Sequence, residues 1–135
     1  MRYKKSNDLK KEERKLEKTI KQQGIKVASE MTFAQPDGHM INKEIKKGDF
    51  LLLKDYYNYD NDEGAEGTAI GRVTSSDKEG IVYDTVITTN EDEWAKGRPY
   101  NLGCWRLICI LEKNDYLEKK YLAMQIAKDN KFGGK

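Results

Sequence analysis

Histidine, cysteine and long apolar runs are what this 135-residue chain has least of, and each shortage closes off a class of chemistry. The one histidine, His39, stands beside the turn signal Pro36-Asp37-Gly38. A histidine-based dyad needs a nucleophile at a helix start or a strained elbow, and no Ser or Cys stands in such a motif. His39 therefore reads as a surface turn residue. A zinc site of Cys and His takes three or four ligands, and the chain holds three such residues in all. No metal and no cofactor is expected.

The two cysteines, Cys104 and Cys109, are five positions apart in an apolar run. An odd separation along a strand sends them to opposite faces, with roughly 16 Å of extended chain between their Cα atoms. A disulfide needs about 4.4–6.8 Å, so the pair is expected to stay reduced, as small core hydrophobes in a cytoplasmic protein. The longest apolar run, Leu107 to Leu111, is far short of the roughly 18 residues of a membrane helix. The basic first residues offer no apolar stretch of the secretory kind, so neither a signal nor a membrane span is expected.

Three further chemistries fail on spacing. Counting from Asp60, the acidic loop Asp60-Asn61-Asp62-Glu63-Gly64 has Ala65 where a calcium-binding EF-hand needs glycine, and Gly71 where it needs glutamate. Gly64, Gly67 and Gly71-Arg72 run on into Val73-Thr74, a β-type sequence, not into the helix of a phosphate-binding P-loop. Asp92 and Glu93 sit in a connection without an apolar pocket to raise a pKa. The chain is not expected to be an enzyme.

What is present is a sharp change of texture. Residues 1–26 carry ten Lys/Arg against four Asp/Glu, giving +6; residues 54–93 carry three against eleven, giving −8; residues 94–135 carry nine against four, giving +5. Ser6, Asn7 and Asp8 suit a helix start, and Gly24 suits its end. Leu9, Leu16 and Ile20 form a thin apolar stripe on that charged helix, which spans 1–24. A stripe so thin is expected to pack lightly or to meet a second copy of the chain.

A β domain is expected over 25–112. Ile25, Val27, Met31 and Phe33 alternate with polar or small residues; Lys47-Gly48-Asp49 turns into Phe50 to Lys54; Asn58 to Glu66 reads as an exposed acidic loop. Gly67 to Thr74 and Gly80 to Thr89 read as strands joined by a polar loop, Ser75 to Glu79, with Ile81, Tyr83 and Ile87 on one face. Asn90 to Gly103 reads as a long connection with a turn of helix at 91–95. Cys104 to Leu111, apolar on both faces, should be the most buried strand. Asn114 or Asp115 caps a final helix over 113–129 carrying Tyr116, Leu117, Tyr121, Leu122 and Ile126, followed by a flexible tail, 130–135. The expected class is α+β: a small antiparallel β-barrel or bent sheet with a charged N-terminal helix and a C-terminal helix. The segment Lys47 to Leu53, followed by Gly71-Arg72-Val73, resembles the opening of SH3-like barrels, a resemblance of architecture.

One segment concentrates binding chemistry. Between Trp94 and Arg106 stand both tryptophans, Trp94 and Trp105, with Arg98, Tyr100, Asn101 and Arg106. The aromatic rings offer stacking faces, the guanidinium groups grip phosphate or carboxylate, and Asn101 can read a polar edge. Tyr56, Tyr57 and Tyr59, beside the acidic loop, form a second cluster of the kind found at protein interfaces. Two of these features support different functions. The first expectation is a non-enzymatic module, a sequestering or regulatory accessory protein of viral or mobile-element type, that binds a small anion of nucleotide kind through the Trp/Arg segment. The alternative is a protein-interaction or inhibitor module using the acidic face, with the tyrosines and the stripe Leu9, Leu16 and Ile20 as contacts. Nucleic-acid binding through the basic helices ranks below both, because Glu12, Glu13 and Glu17 interrupt the basic charge.

Overall fold

The computed structural model describes residues 6–30, 45–57, 65–77, 80–89, 95–102 and 107–129. The turn expected at Pro36, the strand residues Met31 and Phe33, the part of the expected acidic loop that holds Tyr59, the helical turn expected at 91–95 apart from Ala95, and the tail expected at 130–135 lie outside the described residues. Helix α1 spans Ser6–Gln22, and it stops where expected. Gly24 takes a φ of 65°, open to glycine at no steric cost, and the Ile25 N–H turns back to the Ile20 carbonyl at 3.0 Å. Ile20 and Ile25 then share one apolar cluster, the hydrophobic contact that accompanies such a helix end.

Among the described residues six strands follow: β1 (Val27–Glu30), β2 (Phe50–Tyr57), β3 (Ala65–Asp77), β4 (Gly80–Thr88), β5 (Pro99–Asn101) and β6 (Leu107–Leu111). Every pairing is antiparallel and the order across the sheet is β1-β6-β2-β3-β4-β5. β1 and β5 are two unjoined edges, so the fold is α+β with a bent, open sheet. Among the described residues the sheet lacks the closure that a barrel requires.

Three expectations about the strands are corrected. Ser75, Ser76 and Asp77 belong to β3, not to a loop: they pair with Val82, Ile81 and Gly80, and the Ser76 hydroxyl donates to the Ile45 carbonyl at 2.7 Å. Pro99 to Asn101 form a short edge strand on β4 inside what reads as an uninterrupted connection. Ile87 does not share the face of Ile81 and Tyr83. Gly71 pairs with Thr85 while Ile70 pairs with Ile87, which leaves Val86 as an extra, bulged residue. The bulge shifts the alternation, and Ile87 packs with the opposite cluster.

Both faces of the sheet are apolar. On one, Leu51, Leu53, Ala69, Val73, Ile81, Tyr83 and Ile110 pack with Ile45 and Leu102 from the flanking segments. On the other, Phe50, Ile70, Val86, Cys109 and Leu111 are covered by Leu16 and Ile20 of α1 and by Tyr116, Leu117 and Tyr121 of α2, which spans Asp115–Lys128. Cys109 and Ile110 thus face opposite clusters, so β6 is buried on both sides as its sequence requires. Cys109 is a buried free thiol; Cys104 lies outside the described residues.

Asn114 caps α2, its Oδ1 accepting from the Leu117 N–H at 3.2 Å. Its Nδ2 donates to the Gln23 carbonyl at 3.1 Å, which ties the end of α1 to the start of α2. The stripe expected along α2 is only half used: Leu122 and Ile126 are 58% and 62% exposed. Among the described residues no helix is long and apolar enough to cross a membrane.

Candidate anion-binding cleft

The two helices lie on one face of the sheet and leave a cleft of about 170 Å³ between α1, the end of β4, the segment before β5 and the first turns of α2. Its apolar lining is Leu16, Val86 and Ile87; its polar lining includes Thr19, Thr88, Thr89 and Tyr116. Three lysines line it from three elements: Lys15 of α1, Lys96, and Lys120 of α2. Among the described residues of the lining one carboxylate, Glu12, is present and sits 3.6 Å from Lys15. Among those residues three lysines against one carboxylate, over a partly apolar base, favour an anion.

The wall carrying Lys15 is held by its neighbour Glu13. The Glu13 carboxylate accepts from the Thr68 hydroxyl and lies 3.3 Å from the Thr89 hydroxyl. Thr68 and Thr89 are buried, and their backbones are joined by a 2.9 Å hydrogen bond from the Thr89 N–H to the Thr68 carbonyl. A carboxylate turned inward at Glu13 fixes the rotation of α1, which sets Glu12 and Lys15 on the cleft side. On α2, the Lys120 ammonium lies 5.5 Å from the centre of the Tyr116 ring, a cation–π distance that draws it over the rim.

A second polar cluster lies against α2. Arg72 of β3 and Asp84 of β4 are cross-strand partners. The Arg72 guanidinium stacks 4.2 Å from the centre of the Tyr121 ring and 6.0 Å from that of Phe50. Its Nε lies 4.0 Å from the Glu118 carboxylate, too far for a hydrogen bond, and is buried without a hydrogen-bond partner among the described residues. Asp84 is 5% exposed. Burial pushes its carboxyl above the ordinary aspartate value, while Lys128 and Arg72 pull it down less strongly. Through Tyr121 and Glu118 the cluster joins α2 to the sheet.

Of the residues expected to bind a ligand, Tyr100 is committed to structure. Its ring stacks on Tyr83 with centroids 5.8 Å apart, and its hydroxyl accepts from the Ala95 N–H at 2.8 Å. Arg98 and Asn101 flank it and are exposed. Trp94, Trp105 and Arg106 lie outside the described residues. What the same segment brings to the cleft is Lys96, carried on a turn in which Gly97 has a φ of 74° and donates to the Thr85 carbonyl at 3.0 Å. Of the residues expected at a protein interface, Leu16 is 5% exposed and Ile20 packs inward, so the stripe packs on this chain's own sheet, one of the two arrangements expected of it. The side chains of Leu9, Tyr56 and Tyr57, and all of Tyr59, lie outside the described residues. Lys15, Lys120, Thr88 and Thr89 carry no local motif, and only the packing of the helices brings them together. Comparison of the chain with protein-family models, with curated proteins and with solved structures gives no match.

Proposed function

We propose that the protein is a non-enzymatic module that binds a small anionic ligand of nucleotide type, as a sequestering or regulatory accessory protein of the cytoplasm. The observation that supports it is the convergence of Lys15, Lys96 and Lys120, from three separate elements, on one cleft with an apolar base. Lysines scattered over a solvated surface have no reason to share a recess. Pockets that enclose a whole drug-sized ligand measure about 300–1,000 Å³, so a cleft of about 170 Å³ takes the anionic group alone. The phosphate sits among the three lysines, beside Thr19 and Thr88 of the lining. The rest of the ligand extends over the rim, toward the segment that holds Arg98 and Asn101.

Binding is tested by thermal denaturation of the full chain against mononucleotides, inorganic phosphate and small carboxylates. A ligand at a hundredfold over its Kd adds about 2.7 kcal/mol, a rise of several degrees for a domain of this size. The rise should vanish in Lys96→Ala/Lys120→Ala, whose own melting temperature stays close to that of the parent. Absence of a rise with every phosphate compound contradicts the proposal.

A further inference from the structure

The basic charge of α1 is interrupted in sequence by Glu12, Glu13 and Glu17, but the structure sorts these residues onto different sides. Glu13 is turned inward to Thr68 and Thr89. Glu12 faces the cleft beside Lys15. Glu17, two positions beyond Lys15, projects from the other side of the helix, one turn from Arg14. What remains on the cleft-side flank is Lys11, Lys15 and Lys18, all exposed. They are spaced at four and three residues and so form one row with about 5–6 Å between neighbours. Lys15 belongs to both the row and the cleft, so the basic surface runs from the recess onto the helix.

We infer that the anion is one phosphate of a single-stranded nucleic acid, seated in the cleft, with the next phosphates of the strand running along the α1 row. The inference rests on the anion-binding reading of the cleft and names the ligand more closely. A row of cations at near-regular spacing neutralises a polymer of regularly spaced anions, and each contact releases a counterion. A lone mononucleotide uses the cleft and leaves Lys11 and Lys18 idle. A single strand can bend from the recess onto the helix, whereas a duplex holds its phosphates on a stiff cylinder and cannot lower one of them between α1 and α2. Backbone contacts of this kind carry no base specificity.

The test uses the full chain, a mononucleotide, a twelve-residue oligothymidylate and a duplex of the same length, titrated at several salt concentrations. Three proteins are compared: the parent, the cleft variant Lys96→Ala/Lys120→Ala, and the row variant Lys11→Ala/Lys18→Ala. The parent should bind the single strand at least about tenfold more tightly than the mononucleotide. The row variant should keep mononucleotide affinity within about twofold, yet lose oligonucleotide affinity and about 1.4 units of its log–log salt slope, from about 0.7 per phosphate contact. The cleft variant should lose both ligands. A parent that binds the mononucleotide as tightly as the strand, or a row variant unchanged toward the strand, overturns the inference and leaves the cleft reading standing. Binding of neither ligand by the parent overturns both. Duplex bound as tightly as single strand also overturns the single-strand assignment.

Discussion

The ring of Tyr83 lies against the bare backbone of Gly71: a β-carbon on Gly71 would stand 2.5 Å from Cδ2 of Tyr83 and 3.1 Å from Cγ. Tyr83 pairs across the ladder with Val73, so its ring leans diagonally over the glycine two residues away, on a strand position where only hydrogen fits. On the other side Tyr83 stacks with Tyr100, and Tyr100 holds the backbone of Ala95, next to Lys96. The glycine thus supports a line of contacts that ends at the cleft.

Replacing Gly71 by alanine is accordingly expected to destabilise the protein by about 1–3 kcal/mol, the range for an overpacked core. The Tyr83 ring is fully buried and cannot swing away. Urea denaturation measures it: the midpoint should fall with an unchanged slope. The pair Gly71→Ala/Tyr83→Leu should recover part of the loss.

The buried carboxyl of Asp84 makes stability depend on pH with a defined sign. Its folded-state pKa is raised, so the folded protein holds the proton more tightly than the unfolded chain does. That contribution is fully present below the ordinary aspartate range and is lost as pH rises through the raised value. Asp84→Asn, which is never charged, should therefore gain on the parent as pH rises through the acid range and be the more stable of the two at neutral pH. Melting temperatures of both proteins from pH 3 to 7 would show a gap opening in favour of the variant; a gap in the other direction contradicts the burial argument.

Arg72 joins β3 to α2 through the faces of Tyr121 and Phe50. Arg72→Met keeps the stem and removes the charge, and should cost about 1–2 kcal/mol, the cation–π contribution at a desolvated site. Amide exchange should quicken first in α2, whose docking it supports. The carboxyl of Asp84 should titrate still higher in this variant, because one of the two cations that lower it is gone.

Glu13 anchors α1 to the sheet through two buried threonines. Glu13→Ala leaves the hydroxyl of Thr68 without its acceptor and is expected to cost about 1–3 kcal/mol. Faster exchange in α1, together with weaker anion binding, would connect the rotation of that helix with the position of Lys15. Faster exchange without any change in binding would separate the two.

How much of this was legible in the chain depends on the range of the cause. Local chemistry marked the ends of α1 and α2: Gly24 at a left-handed position and Asn114 with its side chain on the Leu117 N–H. The turn at Gly48, with a φ of 95°, was equally plain. The burial of β6 followed from its unbroken apolar run. The face of Ile87 did not follow, because the bulge at Val86 is set by pairing with β3 and leaves no mark in β4. β5 escaped notice because three residues are too few to show a period. The pairing of Arg72 with Asp84 and the meeting of three lysines in the cleft are consequences of register and helix packing. The sequence did mark the neighbourhood of the cleft, since Lys96 lies within the Trp94 to Arg106 segment. Tyr100, the residue there with an evident stacking face, turned out to spend that face on Tyr83.

On the proposed reading Lys15, Lys96 and Lys120 form one anion site. Its most direct test is to map backbone amide shifts of the full chain during titration with a mononucleotide. Saturable shifts should concentrate on Lys15, Thr19, Thr88, Thr89, Lys96 and Lys120, with small changes on the opposite face of the sheet around Leu53 and Ala69. Shifts confined to other surfaces, such as the outer side of α2 at Leu122 and Ile126, or no saturable shift at all, would contradict it.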